Sequence, residues 1–205
     1  MNPITELQHE HEAVRTAIAI LSVMADTAKI EGRLDIDAVD DLLEFLRVFV
    51  DRCHHGKEEK LLFPALEEVG IGRNGGPIGV MLAEHLLGRQ AIAGMGSALM
   101  AYWEGDTDAP ERFAAHANAY HELLGRHIDK ENNVLFVLAE RHLPASLLAV
   151  LAEEFAALER EEIGVGRHEA FHQRLDALAA RYLVGQIAHR AEEGIGHGRP
   201  CQCAG

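Results

Sequence analysis

The chain has 205 residues, of which 48% are hydrophobic, only 5% are aromatic and 25% are charged. This composition is typical of a helix-rich globular protein and not of a β sandwich, a disordered chain or a collagen. Its 33 acidic and 19 basic side chains give a net charge of −14, which argues against nucleic acid or an anionic membrane as the main partner because either requires a basic surface.

Apolar residues recur at helical spacing along most of the chain, and the alternating runs typical of strands are missing, so we predict an all-α fold. Asn2 and Pro3 start a first helix that reaches about Lys29 and ends at Gly32. Three more helices are predicted: from about Asp35 to Val69 with a kink at Pro64, from Pro77 to about Glu104, and from about Ala109 to His142 after an N-cap at Asp108. Short connections between four long helices predict an up-down-up-down four-helix bundle.

Two additional C-terminal helices are predicted beyond the bundle, one from Pro144 to Glu162 and one from about His168 to Arg190. We therefore expect a bundle domain over residues 1–143, a helical extension over 144–193 and a Gly- and Cys-containing tail over 194–205. The two extra helices either cap the bundle or pair with another chain.

The sequence favours a cytoplasmic protein. The N-terminal segment carries acidic residues where a secretory signal has Lys or Arg, and no run approaches the roughly 18 to 20 apolar residues of a membrane span. The three cysteines, Cys53, Cys201 and Cys203, form no disulfide framework, which fits a reducing compartment.

The chain contains an internal repeat. Residues 3–18 match residues 77–92 with seven identities, and residues 54–67 match residues 127–140. The first predicted helix thus repeats as the third and the second as the fourth, so the bundle is two similar helical hairpins related by a pseudo-twofold axis.

The repeated polar residues predict a metal site in the bundle core. His11 and His85 occupy matched core positions, and each of the other two helices carries His-x-x-x-Glu, which spans about 400° and 6 Å so that both side chains share a face. Four buried histidines and two buried glutamates without a cation would be strongly destabilised by desolvation. The candidate ligands are His11, His54, Glu58, His85, His127 and Glu131.

With these motifs the chain resembles the hemerythrin-like (HHE cation-binding) family over about residues 3–140. The segments that carry the resemblance are EH at 10–11, HHGKEEKLLFP at 54–64, EH at 84–85 and HIDKENNVLF at 127–136. It is similar to the bacterial repair-of-iron-centres proteins, whose ligand set the resemblance places on the same six residues. Oxygen-carrying hemerythrins differ, since they have a second His where this chain has Arg89 and an aspartate in the fourth helix where it has Glu131.

The resemblance implies two iron ions with a bridging oxo or hydroxo group, although imidazole and carboxylate ligands also suit manganese and do not exclude zinc. Two six-coordinate irons offer about twelve positions, of which four imidazoles, two bridging carboxylates and the oxygen bridge take about ten. About one position per iron stays open to O₂, NO or peroxide.

Several residues have roles that the sequence leaves open. Arg15 and Arg89 follow the ligand histidines by four residues. Each either hydrogen-bonds a ligating carboxylate, stabilises bound peroxide or covers the core with its stem, while Glu10 and Glu84 are expected to orient a neighbouring imidazole. His168 and His172 form an i,i+4 pair that is either a solvated face or an extra metal site. Cys201 and Cys203 either bind metal or act as a redox pair, or are incidental thiols. His9 and His55 lie off the ligand face and are expected to be exposed or to sit behind the ligands, and Cys53 is expected to be a packing residue.

Three functions remain in competition at this level. The first is a redox-active di-iron protein that binds or destroys O₂, NO or peroxide in stress defence. The second is an iron store, donor or sensor that engages a client protein through its C-terminal helices or tail. The third is a structural metal bundle, for example with zinc, that acts as an interaction module.

Overall fold

A computed structural model describes residues 2–164 and 166–184, and within these ranges every regular element is helical, which confirms the predicted fold class. Helix α1 spans Pro3–Glu31. Helix α2 begins as Ile36–Phe45 and continues without a break through the consecutive segments Leu46–His54, His55–Lys57, Glu58–Leu62 and Phe63–Glu68. Helix α3 spans Pro77–Trp103, and α4 consists of Ala109–Lys130, Glu131–Leu135 and Phe136–His142. Helix α5 spans Ala145–Glu162, and α6 spans Arg167–Ala179 with a final segment Ala180–Val184.

The helix ends follow from local chemistry in most cases. The side chain of Asn2 accepts a hydrogen bond from the backbone N–H of Ile4 at 2.9 Å, and Gly32 adopts a left-handed conformation with φ 63° that ends α1. Asp35 caps α2 by accepting from the N–H of Ala38. Asp108 is the N-cap residue of α4, as predicted, but its side chain makes no capping bond to the described residues, and its backbone N–H donates to the side chain of Asp106.

The four long helices form a closed ring, since α1 contacts α2 and α4, and α3 contacts the same two helices. Two separate hydrophobic clusters fill the interior. Ile4 and Leu7 of α1 belong to one cluster, whereas Val14 and Ile18, about two to four turns further along, belong to the other. The polar residues at positions 10 and 11 therefore lie in a layer between two apolar regions, which limits the access of water to that layer.

Both predicted ligand glutamates begin a π-helical turn. The N–H of Phe63 donates to the carbonyl of Glu58, and the N–H of Phe136 donates to that of Glu131, in each case across five residues. Such turns occur frequently at functional sites. Pro64 does not explain them, because the matched position in α4 is Val137 and the turn forms there as well.

Helices α5 and α6 pack on the face formed by α1 and α2, so the described part of the extension covers one side of the bundle. Phe155 of α5 and Phe171 and Leu175 of α6 are buried there. Among the described residues, no helix combines the length and apolarity that crossing a bilayer requires.

Candidate metal centre

The six side chains predicted as ligands meet in the polar layer and are almost completely buried. The exposed fraction of each is 2% or less: His11 1%, His54 2%, Glu58 0%, His85 1%, His127 2% and Glu131 0%. Each of the four bundle helices supplies at least one of them, as the repeat predicts. Burial of this many ionisable groups requires compensation by a charge or by hydrogen bonds.

Each glutamate lies between two histidines from different halves of the repeat. The two oxygens of Glu131 lie 3.1 Å from His11 Nε2 and 3.0 Å from His127 Nε2. The oxygens of Glu58 lie 4.0 Å from His54 Nε2 and 3.5 Å from His85 Nε2. A carboxylate that faces two imidazoles in this way can bridge two metal ions, one held by His11 and His54 and the other by His85 and His127.

All four predicted ligand imidazoles use Nδ1 for a hydrogen bond and direct Nε2 toward the centre. The acceptors come from other helices: Glu10 for His54 at 2.7 Å, Glu84 for His127 at 3.0 Å, Glu59 for His85 at 2.7 Å and Asn132 for His11 at 2.9 Å. An imidazole whose Nδ1–H is donated to a carboxylate carries its lone pair on Nε2. Phe136 stacks on the His11 ring and Phe63 on the His85 ring, which further fixes the ring planes.

These partners leave acceptors facing acceptors at the centre. When both imidazoles are neutral, His85 Nε2 and His127 Nε2 are two acceptors that lie 3.1 Å apart. All four oxygens of Glu58 and Glu131 are buried without a hydrogen-bond partner among the described residues. Lone pairs at such distances repel one another unless a cation lies between them. The donor set therefore fits a pair of metal ions with imidazole and carboxylate ligands.

Without metal, protons take the place of the cations. Burial and the negative charge of Glu131 raise the pKa of Glu58 well above its ordinary value. Burial also opposes the ionisation of Glu131, but His127 and His11 outweigh it and hold the pKa of this carboxyl well below its ordinary value. Burial by itself lowers the pKa of His127, yet Glu131 and Glu84 raise it to about 9. Metal binding at this centre therefore competes with protonation of these groups.

His55 is buried beside this centre, so the expectation of an exposed position is wrong, whereas the alternative of a position behind the ligands agrees with the structure. It is only 3% exposed, and its ring stacks on that of His85 at 3.9 Å between centroids. Its Nδ1 lies 3.5 Å from Asp51 Oδ1, and neither nitrogen makes a hydrogen bond to another described residue. Its donor atoms lie within 4.8 Å of those of three neighbours: Glu58, His85 and His127. A second group of potential donors with the same spacing consists of His11, His54, Glu58 and Glu131.

A fully buried lysine anchors the centre to the C-terminal extension. The ammonium of Lys57, with an exposed fraction of 0%, contacts Glu10 at 2.5 Å, Glu6 at 2.7 Å and Glu159 of α5 at 3.1 Å. Burial opposes the ionisation of Glu10, but His54 and Lys57 lower its pKa to about 2. These three carboxylates form a potential cation group that Lys57 already occupies.

The two arginines contact carboxylates outside the predicted ligand set. Arg15 pairs with Asp129 at 2.7 Å on the surface. Arg89 bonds Asp51 at 2.7 Å and Glu59 at 2.8 Å. Since Glu59 accepts from His85, Arg89 acts on the centre through that carboxylate.

The remaining candidates lie apart from the centre. His168 and His172 on α6 approach each other to 3.0 Å between Nε2 atoms, and they line a surface cavity of about 400 Å³ together with Glu6, Glu10 and Glu159. They belong to neither donor group at the centre. Cys53 is buried and burial raises its pKa to about 12, as suits a packing residue. Cys201, Cys203 and the tail lie outside the described residues.

Comparison with known proteins places this arrangement in context. The model of the family described as "Hemerythrin HHE cation binding domain" matches residues 2–139. The "Iron-sulfur cluster repair protein DnrN" of Neisseria gonorrhoeae is 36% identical over 135 residues, which cover 61% of this chain and 76% of that protein. No solved structure matches.

Proposed function

This chain belongs to the hemerythrin HHE cation-binding domain family, and we propose that it is a non-haem di-iron protein that binds or reacts with O₂, NO or peroxide in oxidative or nitrosative stress defence. The observation that carries the proposal is the convergence of four imidazole Nε2 atoms and four carboxylate oxygens in a buried layer with too few donors to pair them. A pair of iron ions held by these residues would supply one-electron redox chemistry and could bind a small ligand.

The protein's own residues prepare the site for such ions. His11, His54, His85 and His127 supply the imidazoles, and the positions of Glu58 and Glu131 between them suit bridging carboxylates. The Nδ1 hydrogen bonds fix each ring in the tautomer that ligates through Nε2, so that little reorganisation is needed when metal binds.

The burial of the centre bears on the ligand that it accepts. Phe63 and Phe136 pack against the ligand rings, and apolar clusters lie on both sides of the layer. A site with so little solvent exposure favours a molecule of two to four atoms over an organic substrate, and it excludes bulk water from the open positions.

A second candidate function is iron storage, donation or sensing in the repair of iron centres, without turnover of its own. The similarity to a protein named as an iron-sulfur cluster repair protein favours it. In that case the clients are proteins with damaged iron-sulfur clusters, and helices α5 and α6 or the tail provide the contact surface.

Metal analysis and spectroscopy test the proposal. The protein is purified aerobically, its metals are quantified, and its visible spectrum is recorded before and after dithionite, NO and hydrogen peroxide. About two irons per chain with an absorption band that responds to these reagents supports the first function. Iron that leaves to a chelator or an apo iron-sulfur protein without a response to NO or peroxide supports the second. Stoichiometric zinc without colour contradicts both.

Two ligand variants and a control locate the site. His54→Ala and Glu131→Ala should each remove at least one metal and lower the thermal stability, because the remaining buried ligands lose their compensation. His142→Ala removes an exposed histidine of α4 and should leave the metal content unchanged. Unchanged metal content in both ligand variants would show that the site is elsewhere.

A further inference from the structure

The two halves of the repeat surround the centre with the same contacts at most positions. In the first half Glu10 accepts from His54 Nδ1 and bonds Lys57, and in the second half Glu84 accepts from His127 Nδ1 and bonds Lys130. Phe63 and Phe136 are likewise matched. Departures from this symmetry are therefore informative, because the ancestral repeat does not explain them.

One departure concerns the acceptor behind an imidazole. His85 donates Nδ1–H to the carboxylate of Glu59 at 2.7 Å, whereas His11 donates to the amide oxygen of Asn132 at 2.9 Å. Glu59 and Asn132 occupy matched positions, because both follow the repeat that relates residues 54–67 to residues 127–140. An anionic acceptor makes the opposite ring nitrogen a stronger ligand than a neutral acceptor does.

A second departure lies on the same side of the centre. His55 matches Ile128, which is buried as hydrocarbon and requires no partner. The buried imidazole of His55 lies instead beside His85 and His127, and its Nε2 makes no hydrogen bond to another described residue. Three imidazoles thus surround one position, and two surround the other.

We propose that the two metal positions are unequal by construction: the position at His85 and His127 holds its ion tightly, and the position at His11 and His54 holds the labile ion. This inference rests on the proposed function, because it concerns the same centre. It also assigns the labile position as the source of any metal that the protein releases. Glu59 and Asn132 act as positioning residues that set the difference through the imidazoles they contact.

Stepwise titration of the metal-free protein with Co²⁺, followed by visible absorption and calorimetry, tests the proposal. Two binding steps are expected in the wild type. Glu59→Gln keeps the size of the acceptor and removes its charge, so it should weaken the tight step by about 10- to 100-fold. Asn132→Asp adds a charge behind His11 and should strengthen the weak step by a similar factor, and the double variant should invert the order of the two positions.

Three further variants complete the experiment. His85→Ala should abolish the tight step and His11→Ala the weak one, which assigns each step to its position. Asp129→Asn removes a negative charge close to Glu131 in the chain, but its carboxylate contacts Arg15 and no imidazole, so both steps should stay as in the wild type. Circular dichroism of each metal-free variant shows that it is folded.

The outcomes separate this inference from the function on which it rests. The wild type is expected to bind Co²⁺ in two steps. If Glu59→Gln and Asn132→Asp leave both steps unchanged, or if each variant shifts both steps equally, the proposed difference between the two positions is overturned. The di-metal centre itself would still stand. Failure of the wild type to bind Co²⁺ at all would overturn both the inference and the proposed metal site.

Discussion

Replacement of Lys57 by Met is the perturbation for which the structure gives the clearest expectation. The ammonium is fully buried and contacts three carboxylates, of which Glu10 is itself 5% exposed. Methionine has a similar length but no charge, so Glu10 would remain buried without its counter-ion. Breaking a buried ion pair by removing one partner typically destabilises a protein by about 3–5 kcal/mol.

The internal repeat supplies a matched control. Lys130 occupies the corresponding position, but it is 39% exposed and contacts Glu84 near the surface. Solvent screens this pair, so Lys130→Met should lower the free energy of unfolding by only about 0–1 kcal/mol. The same substitution at two positions related by the repeat thus isolates the effect of burial.

Urea unfolding followed by circular dichroism at pH 7, at matched metal content, measures both variants. We expect the urea midpoint of Lys57→Met to fall by more than about 1 M and that of Lys130→Met to stay close to the wild type. Equal losses in the two variants, or a loss below about 1 kcal/mol for Lys57→Met, would refute the reasoning, because burial would then not determine the strength of these pairs.

The pH dependence of the stability difference between the wild type and Lys57→Met independently tests the direction of the Glu10 pKa shift. The pKa of Glu10 falls from 4.5 to about 2 on folding, so the ionised carboxylate contributes stability above pH 4.5 that is lost as the pH falls toward 2. The difference in unfolding free energy between wild type and Lys57→Met should therefore be largest at neutral pH and shrink in acid. A difference that grows in acid would contradict this assignment.

Three other predictions concern the centre and its surroundings. His55→Ile copies the residue at the matched position of α4 and should stabilise the metal-free protein to urea by about 1–3 kcal/mol. It removes a buried imidazole that makes no hydrogen bond to another described residue and only a long contact, 3.5 Å from Nδ1 to Asp51; a destabilised variant would contradict this. Metal uptake at pH 7 should release protons, which an indicator dye in weak buffer measures. Metal affinity should rise with pH up to about 9, because the metal displaces a proton from His127. A pH-independent affinity would show that no proton is displaced. In a Cys201→Ser, Cys203→Ser variant, Cys53 should not react with iodoacetamide at pH 8 until the protein is unfolded. A pKa of about 12 leaves only about one in 10⁴ of the Cys53 side chains as thiolate at this pH. Rapid labelling of the folded variant would place this thiol at the surface.

The burial of His55 against the predicted ligand His85 shows where helical-wheel reasoning fails. Adjacent residues of an α-helix project about 100° apart, so a ligand role for His54 appeared to direct His55 away from the centre. The segment Leu46–His54 is π-helical, however, and its wider turn reduces the rotation per residue. Both rings therefore reach the interior. The sequence did contain a signal, namely a histidine aligned with Ile128 in the repeat.

The sequence by itself determined the helices, their order and six candidate metal ligands, because helical periodicity, capping residues and an internal repeat are local or self-referential patterns. It also predicted that Glu10 and Glu84 orient imidazoles, but not that Glu59 and Asn132 do so. Glu59 and Asn132 reach His85 and His11 from different helices, and Lys57 meets Glu159 of α5 only because α5 packs across α1 and α2. Such contacts depend on how each helix is rotated about its axis and placed beside its neighbours, and packing of the whole bundle fixes those degrees of freedom.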